Sequence, residues 1–364
     1  MTDHSADEET TDEGGGGFAC VLHREPLVLI SWTATGFELG ALSVSDAFRK
    51  QAVTVLLLPT WTLETGNGER LAQHICRHRA FNLQHSIVPV VNTPGEVESL
   101  SRSGVDCHLI NANCLLEDHV FKPLPDVEPQ FDAIYNATLL RWKRHELARE
   151  VSSLALLTYM YGDKEQNREV LKRIRRNNPD AVFLNPADGD EFQRLSGHDV
   201  NAAYARCRVG LSLSAVEGAQ RAAIEYLLAG LPVVSTRSIG GRDYFFDDEI
   251  CIVTDDDPRQ IRDAVSTLVD RNIPREYVRQ RIMAKIEKER EKFIALLASL
   301  IDREAGGPHA RDIFESQLAK GFFSWHQPLS EFVRQEEKLL FQAAREARQQ
   351  YSQSDKADTL PAEF

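Results

Sequence analysis

The sequence predicts an α/β protein with two Rossmann-like domains and a helical C-terminal region. Its 364 residues are enough for two ordinary domains. Short, apolar, strand-like runs alternate with segments of helical spacing, which is typical of βαβ units and a mostly parallel sheet. The alternation occurs twice, and a proline-rich stretch at 122–129 separates the two series. We therefore expect two α/β domains joined by this stretch.

The first series follows an acidic, glycine-rich segment. Residues 1–17 contain no Lys or Arg and end in four glycines, so we expect a disordered acidic tail. Ordered structure is expected from about Pro26, in an N-terminal domain over 18–124. Its predicted strands are 27–31, 53–58, 87–91 and 107–110, and its predicted helices are 69–79, 95–101 and one that starts at Ser43 or Ser45.

The second series predicts a C-terminal α/β domain over 130–300, followed by helices over 301–350 and a flexible tail at 351–364. From Arg275 onward the pattern is helical, and the stretches 313–323 and 329–347 are amphipathic. The predicted strands of this domain are 131–136, 181–185, 209–214, 232–235 and 250–253, and its predicted helices are 143–157, 200–206, 222–228 and 258–269.

The charge and the apolar pattern exclude several classes of protein. Lys and Arg number 42 against 55 Asp and Glu, so the net charge of −13 disfavours general nucleic-acid binding. The sequence has no apolar run of the roughly 18 to 20 residues that a membrane helix needs, and its acidic start is unlike a signal peptide. The six cysteines include no C-x-x-C pair, which is typical of reduced thiols. We expect a soluble cytoplasmic protein without a transmembrane segment.

The most informative stretch of the sequence is 211–241, where glutamates and glycines follow predicted strands. Glu217 and Gly218 lie in the loop after one strand, and Glu225 lies in the helix that starts near Gln220. Both carboxylates are expected at the crevice beyond the carboxyl ends of the strands, where open α/β sheets bind ligands. Gly218 permits close backbone approach to a ligand, and the first amides of the helix are free to donate to phosphate or sugar oxygens.

A second glycine loop follows the next predicted strand. The turn 230–232 leads into strand 232–235, and Gly240 and Gly241 come at the far end of that strand. Their backbone amides are expected to be a further contact for a phosphate or a sugar.

This stretch resembles a known family. The order E-G-x6-E, then A-G-L-P-V-V-S-T, then G-G is similar to the E-x7-E motif of retaining GT-B glycosyltransferases of family four, the group 1 transferase domain. The similarity covers about 131–269. It implies the GT-B fold, in which two Rossmann-like domains face each other across a cleft and the last helix, here 329–347, packs back on the first domain.

The resemblance also implies roles for individual residues. Glu217 matches the glutamate that contacts the donor sugar, and Glu225 matches the one that contacts the ribose. Gly218, Ala219 and Gln220 match the loop whose amides face the donor. Lys143 falls where relatives place a basic residue that neutralises the diphosphate, so Glu217 and Lys143 are the expected catalytic residues.

The sequence departs from the family pattern at two places. The loop after the first strand of the second domain reads Asn136-Ala137 where relatives have G-R, and Arg141 and Arg144 are the candidates to replace that arginine. Arg221 follows Gln220, where it is a candidate second partner for the phosphates.

The activity that the resemblance implies is transfer of a hexosyl unit from a nucleotide-diphosphate sugar to a glycan or other hydroxyl acceptor. It also implies retention of configuration and no metal ion or other cofactor. The helical C-terminal region leaves peripheral membrane contact open. Two alternatives stay open: a non-catalytic GT-B-like protein that binds a nucleotide sugar or a partner, and a nucleotide-sugar epimerase.

Tryptophans flank several predicted loops of both domains. Trp32, Trp61 and Trp142 are either packing residues or platforms on which a sugar ring stacks.

Overall fold

A computed structural model describes residues 19–33, 38–43, 48, 51–301 and 309–322, and further on residues 332, 334–336, 338 and 339. The predicted acidic tail 1–17 and the predicted tail 351–364 lie outside the described residues, as does most of the predicted helix 329–347. No helix of the described part is long and apolar enough to cross a membrane.

The first domain is built on a five-stranded sheet in the order β1-β2-β3-β4-β5. The N-terminal strand β1 pairs antiparallel with β2, and the other neighbours are parallel. The expectation that ordered structure starts near Pro26 was wrong, because β1 precedes it. The elements are β1 (Ala19–Arg24), β2 (Leu27–Trp32), β3 (Val53–Leu58), α1 (Asn67–Phe81), β4 (His85–Val91), α2 (Pro94–Ser101) and β5 (His108–Leu109).

The second domain is a six-stranded parallel sheet in the order β13-β12-β11-β6-β7-β8. A small hairpin, β9 with β10, follows β8. The elements of the second domain are β6 (Phe131–Asn136), β7 (Leu154–Leu157), α3 (Lys164–Asn177), β8 (Val182–Phe183), β9 (Ala187–Asp188), β10 (Glu191–Phe192), α4 (Gly197–Ala205), β11 (Cys207–Ser212), α5 (Arg221–Leu228), β12 (Val233–Thr236), β13 (Cys251–Thr254) and α6 (Pro258–Arg271).

The predicted helix 143–157 does not form. Two short 3₁₀ turns, Arg141–Lys143 and His145–Ala148, are followed by strand β7 instead. Arg144, between the turns, has a left-handed backbone with φ 53°, which interrupts any helix there. All four residues of β7 are buried, and a fully apolar run of that length favours an interior strand of a parallel sheet.

Helix α3 was missed by the sequence analysis because charged residues dominate it. Its buried apolar residues are Val170, Leu171 and Ile174, whose spacing gives one narrow apolar face. Asp163 caps the helix by accepting hydrogen bonds from the amides of Glu165 and Gln166.

The C-terminal helices return the chain to the first domain. Helix α7 (Arg275–Ile301) buries Val278 and Ile282 in the second domain and Phe293 and Leu297 against the first-domain sheet. Helix α8 (Ala310–Lys320) packs on the same sheet face as the end of α7. Within the predicted helix 329–347, Phe332 lies in the first-domain core and Glu336 accepts a hydrogen bond of 2.9 Å from Arg24.

Two buried charged residues of α7 fix the relative position of the domains. The Glu289 carboxylate accepts a hydrogen bond of 2.9 Å from the amide of Asn111. The Arg290 guanidinium donates to the carbonyls of Cys114 and Leu116, both at 3.0 Å, and to the Asp118 carboxylate at 2.6 Å. The segment that follows β5 is therefore held by side chains of a helix rooted in the second domain.

We predict that Arg290→Ala lowers the free energy of unfolding by about 3 kcal/mol, because it removes the buried guanidinium that donates to the carbonyls of Cys114 and Leu116 and to the Asp118 carboxylate. Urea denaturation measures this. The matched control is Arg311→Ala, which removes an exposed pair with Glu291 and is expected to change stability little. Equal losses in the two variants would contradict the role given to Arg290.

Candidate active site between the two domains

A cavity of about 330 Å³ lies between the domains, beside the carboxyl ends of strands from both sheets. The first domain contributes four lining residues and the second domain contributes the rest. Of the predicted site residues, the cavity is lined by Lys143, Glu217, Gly218, Ala219, Gln220, Arg221 and Glu225. The fold thus brings both motif glutamates and Lys143 to one place.

Glu217 and Lys143 form a largely buried ion pair in this cavity. Lys143 Nζ lies 2.5 Å from Glu217 Oε1, and the side chains are 17% and 8% exposed. The amide of Glu217 donates to the carbonyl of Ile239 at 2.9 Å, which fixes the loop after β11 against the loop after β12. Tyr135 donates its hydroxyl to the carbonyl of Lys143 and so fixes the 3₁₀ turn. Both charged residues therefore lie in segments after strands, and hydrogen bonds to neighbouring residues hold those segments in place.

Glu225 projects from α5 into a network of buried hydroxyls. Its Oε2 accepts a hydrogen bond of 2.8 Å from the hydroxyl of Tyr204, which in turn accepts one of 2.6 Å from Asn136 Nδ2. The hydroxyl of Tyr226 accepts a hydrogen bond of 2.6 Å from the amide of Asn136. Burial raises the pKa of the Glu225 carboxyl, and the positive charge of Arg221 partly opposes that shift.

The loop at Gly218 and Ala219 forms the contact between the domains. A side chain at Gly218 would place its Cβ 2.4 Å from the carbonyl oxygen of Thr60 in the first domain. Asn113 donates its side-chain amide to the carbonyl of Ala219 at 2.7 Å. Glycine at 218 is therefore required by the close approach of two backbones.

Gln220 and Arg221 form the transition from this loop into α5. Gln220 has a left-handed backbone, with φ 51°, and its Oε1 accepts a hydrogen bond of 2.8 Å from the hydroxyl of Ser212. Arg221 is the first residue of the helix and is exposed. It lines the main cavity and also a second cavity of about 510 Å³.

The second cavity adjoins the first, since Asn136, Tyr159, Arg221 and Glu225 line both. The hydroxyl of Thr158, which also lines it, is buried and has no hydrogen-bond partner in the structure. The guanidinium of Arg194 lies 4.7 Å from the centre of the Tyr159 ring. Together the two cavities give an elongated site with Glu225 and Arg221 at its middle.

Two of the candidate arginines do not reach the cavity. Arg144 donates to the carbonyl of Leu213, to the hydroxyl of Thr236 and to the Asp256 carboxylate, so its guanidinium ties loops of the second domain together. Arg141 is exposed and lies 3.6 Å from Glu169 of α3. Neither side chain lines the cavity, whereas Lys143 does.

Gly240 and Gly241 also differ from their expected placement, since neither lines the cavity. The amide of Gly241 donates to the carbonyl of Gly218 at 2.8 Å, and its carbonyl accepts a hydrogen bond of 2.7 Å from Asn111 Nδ2. A Cβ at Gly240 would lie 2.6 Å from the carbonyl oxygen of Glu217. Both glycines allow backbone segments to pack closely behind the site. Because the amide of Gly241 already donates to Gly218, it is not available to a phosphate.

Sequence reasoning missed Arg242, whose side chain is fully buried behind the cavity. Its guanidinium donates to the hydroxyl of Ser212 at 2.9 Å and to the carbonyls of Ser214 at 3.0 Å and Thr236 at 2.7 Å. It therefore connects the loops that follow β11 and β12. An arginine between Gly241 and Asp243 gives no periodic signal of burial, so only the fold identifies it.

Comparisons with known proteins agree with this architecture. Residues 139–271 match the family model described as Glycosyl transferases group 1. The structure is similar to that of Anabaena HepE in complex with UDP, with a TM-score of 0.53 and 12% identity over 73% of this chain and 84% of that one. It is also similar to sucrose-phosphate synthase from Thermosynechococcus elongatus, with a TM-score of 0.57 and 14% identity over 76% of this chain and 74% of that one. No curated protein matches the chain in sequence.

The chain has the GT-B fold, and the family model matched by residues 139–271 identifies a glycosyltransferase. Within that class, residues 139–271 carry a glycosyl transferases group 1 domain, which contains Lys143, Glu217 and Glu225. The predicted GT-B fold and the predicted group 1 transferase domain are thereby confirmed.

We predict that Glu225→Gln stabilises the fold at neutral and alkaline pH. The folded-state pKa of Glu225 is raised, so ionisation costs stability as the pH rises from the ordinary glutamate range through the raised value. Glutamine avoids that cost and still accepts the hydrogen bond from Tyr204.

Chemical denaturation at two pH values tests this prediction. The gain is expected to be about 1 kcal/mol at about pH 8 and close to zero at about pH 4. The control variant Glu165→Gln removes an exposed carboxylate on α3 and is expected to change stability little at either pH. A stability gain of equal size at both pH values would contradict the assignment.

Proposed function

We propose that this protein transfers a hexosyl unit from a nucleotide-diphosphate sugar to a glycan or other hydroxyl acceptor, with retention of configuration and without a metal ion. The observation that carries the proposal is the meeting of Lys143, Glu217, Arg221 and Glu225 in one elongated site between the domains. We place the reaction in the cytoplasm, in keeping with six cysteines that are all free thiols.

In this proposal the nucleoside occupies the second cavity and the sugar occupies the first. Glu225 lies where the cavities join, so its carboxylate is placed to accept hydrogen bonds from ribose hydroxyls. Arg221, the first residue of α5, lines both cavities at this junction, where it would meet the diphosphate. Uridine nucleotides are the first to test, because the similar structure of HepE was determined with UDP-glucose.

Lys143 is the cation that stabilises the departing diphosphate. The acceptor oxygen forms a bond to the anomeric carbon, the bond from that carbon to the diphosphate oxygen breaks, and the acceptor proton passes to the leaving diphosphate. Negative charge therefore develops on the diphosphate oxygen, and an oriented ammonium group in a partly desolvated site stabilises it. Glu217, 2.5 Å from Lys143 Nζ, orients the ammonium and accepts hydrogen bonds from the donor sugar.

In this proposal Arg221 binds the phosphates of the donor in place of the family arginine. Arg141 and Arg144 were the candidates for that role in the sequence. Ala137, at the position of the family arginine, lines the cavity with a methyl group only. Arg221, at the N-terminus of α5, lines the same cavity. A planar guanidinium suits bidentate binding of phosphate oxygens.

We predict that Glu217→Ala lowers turnover by about 100-fold or more, because it removes the partner that orients Lys143. Affinity for the nucleoside diphosphate alone is expected to change by less than about threefold, since Glu217 contacts the sugar. Steady-state release of nucleoside diphosphate and calorimetric titration measure the two effects. Glu217→Gln keeps the volume of the side chain and serves as a second variant, and Glu165→Ala is the unaffected control. Unchanged turnover in Glu217→Ala would remove this residue from the site.

We predict that a nucleoside diphosphate or its sugar raises the melting temperature of the wild type and not of Glu225→Ala. A ligand at ~100 times its dissociation constant stabilises the folded state by about 2.7 kcal/mol. A thermal-shift panel of uridine, guanosine and adenosine diphosphates and their sugars measures this, with Glu165→Ala as the matched control.

The thermal-shift panel and the turnover measurement together distinguish the transferase from its alternative, a GT-B-like binding protein without turnover. A ligand-induced shift without turnover of any donor would favour the binding protein, which the missing arginine at Ala137 motivates. No shift in wild type would overturn nucleotide-sugar binding altogether. Conversion of a donor without an acceptor would favour an epimerase instead.

A further inference from the structure

The second cavity is lined by a carboxylate residue that lies outside the family motif. Glu117 is in the segment between β5 and β6, and it is only 8% exposed. It lines the second cavity together with Glu225. Because Glu117 precedes residues 139–271, which match the family model, no part of the recognised motif points to it. Only the fold brings this glutamate of the connecting segment to the cavity.

The backbone on both sides of Glu117 is held by arginines of helix α7. The carbonyl of Leu116 accepts a hydrogen bond of 3.0 Å from Arg290, and the carbonyl of Asp118 accepts one of 2.7 Å from Arg279. Glu117 is therefore fixed in position by a helix that also packs in the second domain. A contact that is in place before a ligand arrives loses less conformational entropy when the ligand binds.

The charges of Glu117 and Glu225 interact within this cavity. Burial is the largest cause of the raised pKa of Glu225, and the negative charge of Glu117 raises that pKa further. The Oε2 atom of Glu225 accepts the hydrogen bond from Tyr204, and no described residue donates a hydrogen bond to its Oε1 atom. Carboxylates only accept hydrogen bonds, so a ligand group beside these two residues has to be a donor.

A second polar group of the cavity also has unused hydrogen-bonding capacity. The hydroxyl of Thr158, a residue that is 2% exposed, lines the cavity and has no hydrogen-bond partner among the described residues. A buried hydroxyl without a partner costs free energy, which a ligand that hydrogen-bonds to it recovers. This hydroxyl indicates, independently of the two carboxylates, that the second cavity is built to hold a polar ligand.

We propose, on the basis of the proposed function, that Glu117 and Glu225 bind the two ribose hydroxyls of the donor nucleotide, one hydroxyl each. A ribose carries neighbouring O–H donors on its 2′ and 3′ carbons, and a deoxyribose lacks one of them. A hydrogen bond to an ionised carboxylate is stronger than one between neutral groups, so the loss of either hydroxyl is costly. Glu117 is thus a specificity-determining residue that selects a ribonucleotide donor over its deoxy analogues.

The charges of the cavity favour a ribose beside Glu117 and disfavour a phosphate there. Two carboxylates repel a phosphate, and like charges interact strongly where the surroundings are partly desolvated. Arg221 carries the opposite charge and lines both cavities, so the diphosphate belongs beside it. Hydroxyl groups of a ribose have no charge and donate hydrogen bonds, which suits the place where the two carboxylates lie.

Calorimetric titration tests this with the nucleoside diphosphate that the thermal-shift panel identifies and with its 2′-deoxy and 3′-deoxy analogues. The wild type is expected to bind each analogue about tenfold or more weakly than the ribonucleotide, because one hydrogen bond to a carboxylate is lost. Glu117→Ala is expected to reduce that ratio to within about threefold for one analogue and to keep it for the other. The ratio is the readout, since removal of a negative charge by itself favours any diphosphate.

Two further variants control this experiment. Glu117→Gln keeps the shape of the side chain and a neutral acceptor, so its ratio is expected to lie between those of the wild type and Glu117→Ala. Glu128→Ala removes an exposed carboxylate of the same connecting segment that lines neither cavity, and it is expected to keep both wild-type ratios. Thermal stability is measured for every variant, and each titration is repeated with Mg²⁺ and with EDTA.

Failure of the wild type to bind any nucleoside diphosphate would overturn both the proposed function and the role of Glu117. Equal binding of the ribonucleotide and both deoxy analogues by the wild type would overturn the ribose contact alone. Wild-type ratios in Glu117→Ala and Glu117→Gln, with unchanged thermal stability, would remove Glu117 from the donor site. Binding that requires Mg²⁺ in the wild type and not in Glu117→Ala would mean that the carboxylates bind a cation instead of the ribose.

Discussion

The close approach of two backbones at Gly218 is the constraint on which the site depends. The loop after β11 lies between the carbonyl of Thr60 on one side and Gly240 on the other, and a Cβ at either glycine would lie within 2.6 Å of a carbonyl oxygen. Because this loop also carries Glu217, the position of that carboxylate is set by the contact between the domains. The site is therefore a property of the closed two-domain arrangement, and neither domain forms it alone.

Helix α7 makes that arrangement stable. Its first half is buried in the second domain and its second half lies against the sheet of the first. Between the two halves, Glu289 and Arg290 form hydrogen bonds with backbone groups of the segment after β5. That segment also provides Asn111 and Asn113, which bind the carbonyls of Gly241 and Ala219. A single helix thus connects the packing of both domains to the loops of the cleft.

The basic residues near the cleft form two groups: some bind carbonyls and hydroxyls of the protein, and others face the cavity. Arg144 and Arg242 use their donors on carbonyls and hydroxyls of the loops after β11 and β12, so they hold those loops at a fixed distance. Lys143 and Arg221 face the cavity instead. The Glu225 carboxylate is costly to bury, as its raised pKa indicates, and such a cost is typical of a binding or catalytic site.

The sequence alone determined the two α/β series, the group 1 transferase motif and the placement of Glu217 and Glu225 on either side of the start of a helix. Those features depend on local periodicity and on a motif of short range, which a single sequence displays directly. It gave no correct account of residues 143–157, because a buried interior strand and an apolar helix segment have similar composition. Only the tertiary structure decided which candidate arginine lines the cavity, that Arg242 is buried, and that Gly240 and Gly241 pack against the loop of Glu217. Those properties depend on contacts between residues far apart in the chain, whose geometry is set by the packing of the two domains and not by any local pattern.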